Sequence, residues 1–118
     1  MAAPNLKTPT TITGKTAVYA CTASLATALS NDAASGKVLK VNVVRAANLT
    51  TGIATVDLTV FRSSVDTYII KLASVAPGGS LVLLDKNEYL YLEEGDALRA
   101  DANAGSTIDI TIHYEEIS

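Results

Sequence analysis

The fold is decided by residues 86–118, which read KNEYLYLEEGDALRADANAGSTIDITIHYEEIS. In this segment isoleucine alternates with Asp, Thr and His over residues 108–113, and leucine alternates with tyrosine over residues 89–92. A period of two residues is typical of β-strands that have one buried and one solvated face. Between the two runs, residues 93–96 predict a turn with Gly95 at positive φ.

The same alternation extends through most of the chain and predicts an all-β protein. No segment shows a convincing helical period, and parallel strands would need crossover helices for which 118 residues leave no room. We therefore predict an antiparallel β-sandwich of the jelly-roll or immunoglobulin-like kind, with about eight strands. A nearly all-apolar run is expected in the middle of the sandwich. The predicted strands are 15–22, 25–30, 37–47, 53–62, 67–73, 81–85 (the nearly all-apolar run), 89–93, 97–102 and 107–117.

Residues 1–14 differ from the rest of the chain and predict an extended N-terminal arm. Pro4 and Pro9 disfavour helix, four threonines favour extended backbone, and Gly14 ends the segment. Two interpretations are open: a frayed tail, or an arm laid on a neighbouring subunit. Residues 15–118 are then a single β-sandwich domain.

Composition excludes several classes of function. The net charge is −3 and no cluster of Lys or Arg occurs, which argues against a nucleic-acid partner. The single cysteine, Cys21, cannot form an internal disulfide and is expected to fill the core. No apolar run is long enough to span a membrane and no signal peptide is recognisable at the start, so we expect synthesis in the cytoplasm and no membrane partner.

The sequence offers little catalytic chemistry. Asp109, Thr111, His113 and Glu115 share one face of the last strand and could be considered as metal ligands. Side chains two residues apart on a strand are about 6.5–7 Å apart, however, so they do not easily converge on one ion. With a single histidine and no nucleophile motif, we predict no enzyme activity, no metal and no cofactor. This face is then either solvated or a subunit contact in which His113 pairs with a carboxylate of a neighbour.

The tyrosines of residues 89–92 suggest an interaction surface. If Leu90 and Leu92 face the core, Tyr89 and Tyr91 face outward, and paired exposed tyrosines are frequent at interfaces. The alternatives are that both faces of this strand are buried, or that the tyrosines face the core. The predicted interface residues, including those of the arm, are Pro4, Leu6, Pro9, Ile12, Tyr89, Tyr91, His113 and Glu115.

Four segments resemble a known group of proteins: MAAPNL at residues 1–6, TITGKT at 11–16, YLYLEEGDALR at 89–99 and HYEEIS at 113–118. Together they are similar to small virion structural proteins of tailed bacteriophages, especially phages of marine bacteria and cyanobacteria. The resemblance implies a β-sandwich particle protein of the decoration or cement kind. It implies no catalytic or binding residue, and it does not distinguish the capsid from the tail or neck.

Taken together, these features predict a non-enzymatic virion protein on the outer capsid surface. It would decorate the shell, bind neighbouring copies of the major capsid protein and resist internal DNA pressure. A homo-oligomer is expected, with a trimer favoured because several arms would gain through effective concentration. The alternative functions are a receptor- or carbohydrate-binding module of a tail or head fibre, another tail or neck component, and a small hydrolase or metal enzyme.

Overall fold

The computed structural model describes residues 4–118, which form nine β-strands and a single 3₁₀ turn at Lys86–Glu88. No α-helix occurs in this part of the chain. The strands are β1 (Ile12–Ala20), β2 (Ala26–Ser30), β3 (Val38–Asn48), β4 (Ala54–Arg62), β5 (Val65–Val75), β6 (Ser80–Leu84), β7 (Leu90–Leu92), β8 (Ala97–Ala102) and β9 (Ile108–Ile117).

The strands form two antiparallel sheets. Sheet I has the order β1-β9-β3-β6, with β7 also paired to β3, and sheet II has the order β2-β8-β4-β5. Because β6 and β7 pair with successive parts of β3, they act as one strand interrupted by the 3₁₀ turn. Counted in this way there are eight strands, and the first pairs with the last, the second with the seventh, the third with the sixth and the fourth with the fifth. This is a jelly roll, and the predicted all-β antiparallel sandwich is confirmed.

The core lies between the two sheets. Ile108, Ile110 and Ile112 of β9 are fully buried, and they meet Leu58 of β4 and Leu98 of β8 from the other sheet. The alternation in β9 was therefore interpreted correctly. Cys21, just after β1, is 1% exposed and fills the core as predicted, and its burial is the main reason why the pKa of its thiol rises to about 12.

The prediction for β5 was partly wrong. A strict period of two over the predicted strand 67–73 places Tyr68, Ile70 and Leu72 on one face, but two register shifts against β4 interrupt the alternation. Ile70 packs against the core, whereas Tyr68 and Leu72 are exposed, and Leu72 has a φ of 55°. A bulge places an extra residue between inward positions, so a strict period of two no longer holds.

The apolar run at residues 81–85 was predicted to lie in the middle of the sandwich, and this is also wrong. It forms β6, which is an edge of sheet I and pairs only with β3. Leu83 and Leu84 are buried, but Val82 is 46% exposed on the outer side. The other predicted strands agree with the structure to within two residues at each end, except for the start of β1.

Strand β1 begins at Ile12, three residues before its predicted start, so residues 12–14 belong to sheet I rather than to an arm. The pairing extends further still: the Thr11 N–H donates to the Ser118 carbonyl at 3.0 Å, and the Ser118 N–H donates back to Thr11 at 2.9 Å. The segment free to act as an arm is therefore confined to residues before Thr10. Its first three residues lie outside the described part of the chain.

A buried amide closes each end of the sandwich. At one end, the Asn48 side chain donates to the carbonyls of Gly52 (2.7 Å) and Val75 (2.9 Å) and accepts from the Thr50 N–H (2.9 Å). At the other end, Asn31 donates to the carbonyls of Lys37 and Leu92. Each side chain satisfies main-chain groups that would otherwise be buried without a partner.

Replacing Asn48 tests this closure. We expect Asn48→Ala to lower the free energy of unfolding by about 2–3 kcal/mol, because it leaves several buried main-chain groups unpaired. Asn42→Ala is the matched control, since Asn42 is half-buried and makes one long hydrogen bond of 3.4 Å to Glu115. Its cost should be within about 0.5 kcal/mol in urea unfolding. Equal losses in the free energy of unfolding for the two variants would contradict the role of the Asn48 side chain in closing this end of the sandwich.

Candidate interaction surface

The outer face of sheet I, which points away from the core, collects most of the predicted interface residues. Because the isoleucines of β9 point inward, the residues between them point outward, so the predicted common face of the last strand is confirmed. The predicted interface residues on this face are Ile12, Tyr89, Tyr91, His113 and Glu115.

Strand register fixes the neighbours of the two β9 side chains. His113 is exposed and lies between Thr16 of β1 and Val43 of β3. One step along β9, Glu115 lies opposite Lys40 of β3. The outer face therefore carries opposite charges at neighbouring strand positions and has little net charge there.

The two tyrosines face outward, as predicted. Leu92 is fully buried and Leu90 packs against the core, so Tyr91 projects from the opposite side of β7. The Tyr89 and Tyr91 rings meet edge to face with centroids 5.7 Å apart, and the Lys40 Nζ lies 4.4 Å from the Tyr89 centroid. Tyr89 remains 47% exposed, so this cluster presents an aromatic surface of defined orientation.

The three remaining predicted residues lie in the segment that leads into β1. Leu6 is 48% exposed, while Pro4 and Pro9 are half-buried. A turn bends this segment, because the Thr8 N–H donates to the Asn5 carbonyl at 3.1 Å. These residues are therefore next to the start of sheet I but are not part of its strand face.

Sequence reasoning missed two apolar residues on the outer face of sheet I. Val18 of β1 is 78% exposed and Val82 of β6 is 46% exposed. They are at opposite ends of one cross-strand row, with Thr111 and Arg45 between them. The alternation in β1 did not indicate which way Val18 points, because alanine occurs on either face of a strand. Val82 was missed because its strand, β6, was predicted to lie in the interior.

At one end of the sandwich, Arg62 binds the buried carboxylate of Asp96. The Arg62 Nε donates to Asp96 Oδ1 at 3.0 Å and its Nη2 to Oδ2 at 2.5 Å, while the Glu93 N–H also donates to Oδ2. The hydrogen bond to Asp96 is the largest of the effects that raise the pKa of Arg62. Gly95 has a φ of 87°, so the predicted turn is confirmed. This cluster closes the loop between β7 and β8.

Two carboxylates meet on the outer face of sheet II. Asp57 of β4 and Asp101 of β8 are direct cross-strand partners, and the Leu72 N–H donates to Asp57 Oδ1 at 2.6 Å. Burial, followed by hydrogen bonding to Asp57 and repulsion from its charge, raises the pKa of Asp101 to about 6, while Lys71 opposes the shift. The two residues are far apart in sequence, so no motif could have indicated this pair.

This pair predicts a specific pH dependence of stability. The pKa of Asp101 is higher in the native protein than the ordinary 3.8, so the native state binds the proton more tightly and stability falls as pH rises from about 4 to about 6. Asp101→Asn should remove that decrease and raise the free energy of unfolding at pH 8 by about 0.5–1 kcal/mol, since the pair is partly solvated. Asp109→Asn is the control, because its cross-strand neighbours are Ala20 and Ala47. The prediction would be contradicted if the free energies of unfolding of both variants matched that of the parent protein at every pH.

No group of three His, Cys, Asp or Glu side chains in residues 4–118 is arranged to hold a metal ion. Within the same residues, no helix is long and apolar enough to cross a membrane. The outer face of sheet I holds five of the eight predicted interface residues and is the candidate interaction surface.

Comparison with known proteins assigns no family to this chain. No family model matches it, and no curated protein gives a significant match.

Proposed function

We propose that the protein is a non-enzymatic structural component of a bacteriophage virion, and specifically a capsid decoration protein. The observation that carries this proposal is the outer face of sheet I, which exposes Val18 and Val82 on its strands and Tyr89 just before β7. Apolar and aromatic side chains on a rigid face are typical of surfaces that bind other proteins. The jelly roll is a fold of viral capsid and lectin domains, which supports the proposal by analogy alone.

The mechanism is attachment of a flat strand face across neighbouring copies of the major capsid protein. Burial of the valines and tyrosines supplies the apolar part of the binding free energy. Lys40 and Glu115 lie opposite each other on neighbouring strands, so their charges offset each other and limit the electrostatic cost of contact. The segment before Thr10 adds a second contact, and a homo-oligomer multiplies both through effective concentration. The protein would be made in the host cytoplasm and act on the outside of the shell.

A second candidate is a receptor- or carbohydrate-binding module on a tail or head fibre. Sugar rings stack on exposed aromatic side chains, and the Tyr89–Tyr91 pair with Lys40 beside it is the one such platform among residues 4–118. The two candidates share this surface but differ in ligand. Shell binding supports decoration, whereas binding to host cells supports the fibre module.

The aromatic cluster provides the first test. Tyr89→Ala is expected to weaken binding to shells that lack the protein by about tenfold, because it removes an exposed contact without touching the core. Tyr68→Ala is the matched control, since Tyr68 is similarly exposed but lies on sheet II and has its own lysine neighbour. Binding can be measured by co-sedimentation with the shells. Failure of the parent protein to bind shells would reject the decoration role, and glycan or host-cell binding that Tyr89→Ala abolishes would support the second candidate.

The N-terminal segment provides the second test. Because β1 begins at Ile12, deletion should stop at residue 9 so that sheet I stays intact. The truncated protein is expected to keep its melting temperature within a few degrees and to lose most of its shell binding. Full shell binding by this truncation would show that the segment is not a binding arm.

A further inference from the structure

The four sheet edges formed by residues 4–118 differ in how they are protected against pairing with another strand. An exposed edge carries unpaired N–H and C=O groups, and proteins usually block it with short strands, bulges, charges or proline. Edge strand β2 has only five residues and a register shift between Thr27 and Leu29. The edge formed by β6 and β7 is interrupted by the 3₁₀ turn and has a shift at Val44 and Arg45 of its partner β3.

The third edge, β5, is also blocked. Its pairing with β4 shifts register twice, and Leu72 adopts a left-handed backbone conformation. Lys71 lies beside this irregular position and places a charge on the same edge strand. Three of the four edges therefore carry a recognised obstacle to intermolecular pairing.

Strand β1 carries almost none of these obstacles. Its nine residues pair with β9 in unbroken register, it contains no proline, and Lys15 is its only charged residue. The mutual hydrogen bonds of Thr11 with Ser118 show that odd-numbered residues point their main-chain groups toward β9. The even-numbered residues from Ile12 to Ala20 therefore direct theirs to the open edge.

Gly14 is compatible with an accessible edge at β1. A glycine inside a strand weakens it, and it usually marks a bulge, a bend or the close approach of another chain. Strand β1 has no bulge at this position, the φ of Gly14 is not positive, and nothing lies within 4 Å of where a Cβ would be. Gly14 therefore leaves this position of the open edge without a side chain that would hinder the approach of a second strand.

We propose that β1 pairs with β1 of a second copy of this chain, antiparallel and about a two-fold axis through Thr16. Thr16 is the midpoint of Ile12–Ala20, so this register pairs all nine residues and makes up to about ten backbone hydrogen bonds. It places Lys15 opposite Ala17 of the second copy and avoids any pairing of like charges. The exposed Val18 then lies opposite Gly14 of the second copy.

Neighbouring registers are less favourable. An axis through Lys15 places two ammonium groups directly opposite each other, which destabilises a strand pair. An axis through Ala17 leaves Ile12 and Thr13 without partners on the second strand. A head-to-tail ring would need a second edge that can pair with β1, and the other edges are obstructed. The geometry therefore favours a dimer instead of the trimer expected from the sequence.

The dimer does not depend on the capsid role, because it is a property of the isolated protein. Analytical ultracentrifugation from about 1 to 100 µM should show a concentration-dependent dimer for the parent chain. Thr16→Lys combined with Val18→Lys should give a monomer over this range. In a dimer, the two copies would bring four added lysines together on one face of the β1–β1 pair, and their charges would repel. Ser80→Lys combined with Val82→Lys is the matched control: it adds the same charges to the outer side of the opposite edge of sheet I and should stay dimeric.

Crosslinking tests the register. Directly opposite residues in a hydrogen-bonded antiparallel pair have Cα atoms about 5.5 Å apart, which is within disulfide range. Thr16→Cys should therefore form a covalent dimer under mild oxidation, whereas Val82→Cys should not. The native Cys21 is buried and does not compete. A parent protein that is monomeric or trimeric throughout, a dimer that survives the β1 charges, or no crosslink at Thr16→Cys would each overturn the proposal.

Discussion

The position of β9 between β1 and β3 is the constraint on which the rest of the structure depends. It pairs with β1 over nine residues and with β3 along its whole length, and its first three isoleucines have no exposed surface. Once those isoleucines are buried, every residue between them must face outward. The core and the candidate surface are therefore set by the same alternation, and a slip of one residue would exchange them.

The two outer faces of the sandwich have different characters. On sheet II, Arg99 donates to Asp66 and to the Leu25 carbonyl and stacks on Phe61, and Thr59 also donates to Asp66. Most of these polar groups are paired within residues 4–118, whereas the buried Arg99 Nε has no hydrogen-bond partner there. Sheet I has a looser pattern of exposed valines, tyrosines and facing charges. Both sheets also expose apolar or aromatic side chains: Val18 and Val82 on sheet I, and Tyr68 and Leu72 on sheet II.

Sequence reasoning succeeded where strands are regular. The bounds of β8 and the inward face of β9 followed from hydrophobic alternation alone, as did the outward orientation of Tyr89 and Tyr91. It failed where an extra residue interrupts the period, as at Leu72, because a bulge depends on the partner strand. It also failed for Val82, since an apolar run does not reveal whether a strand has one neighbour or two. The meeting of Asp57 and Asp101 requires knowledge of strand order.

The long unbroken pairing of β1 with β9 has a mechanical consequence. Inter-strand hydrogen bonds in an antiparallel pair are perpendicular to the strands, so tension along the strand axis loads all of them at once. If the segment before Thr10 were pulled while sheet I stayed attached to a surface, β1 would have to slide past β9 instead of peeling away bond by bond. Because such a joint breaks its hydrogen bonds together, we expect β1 to resist tension along its axis better than tension across it.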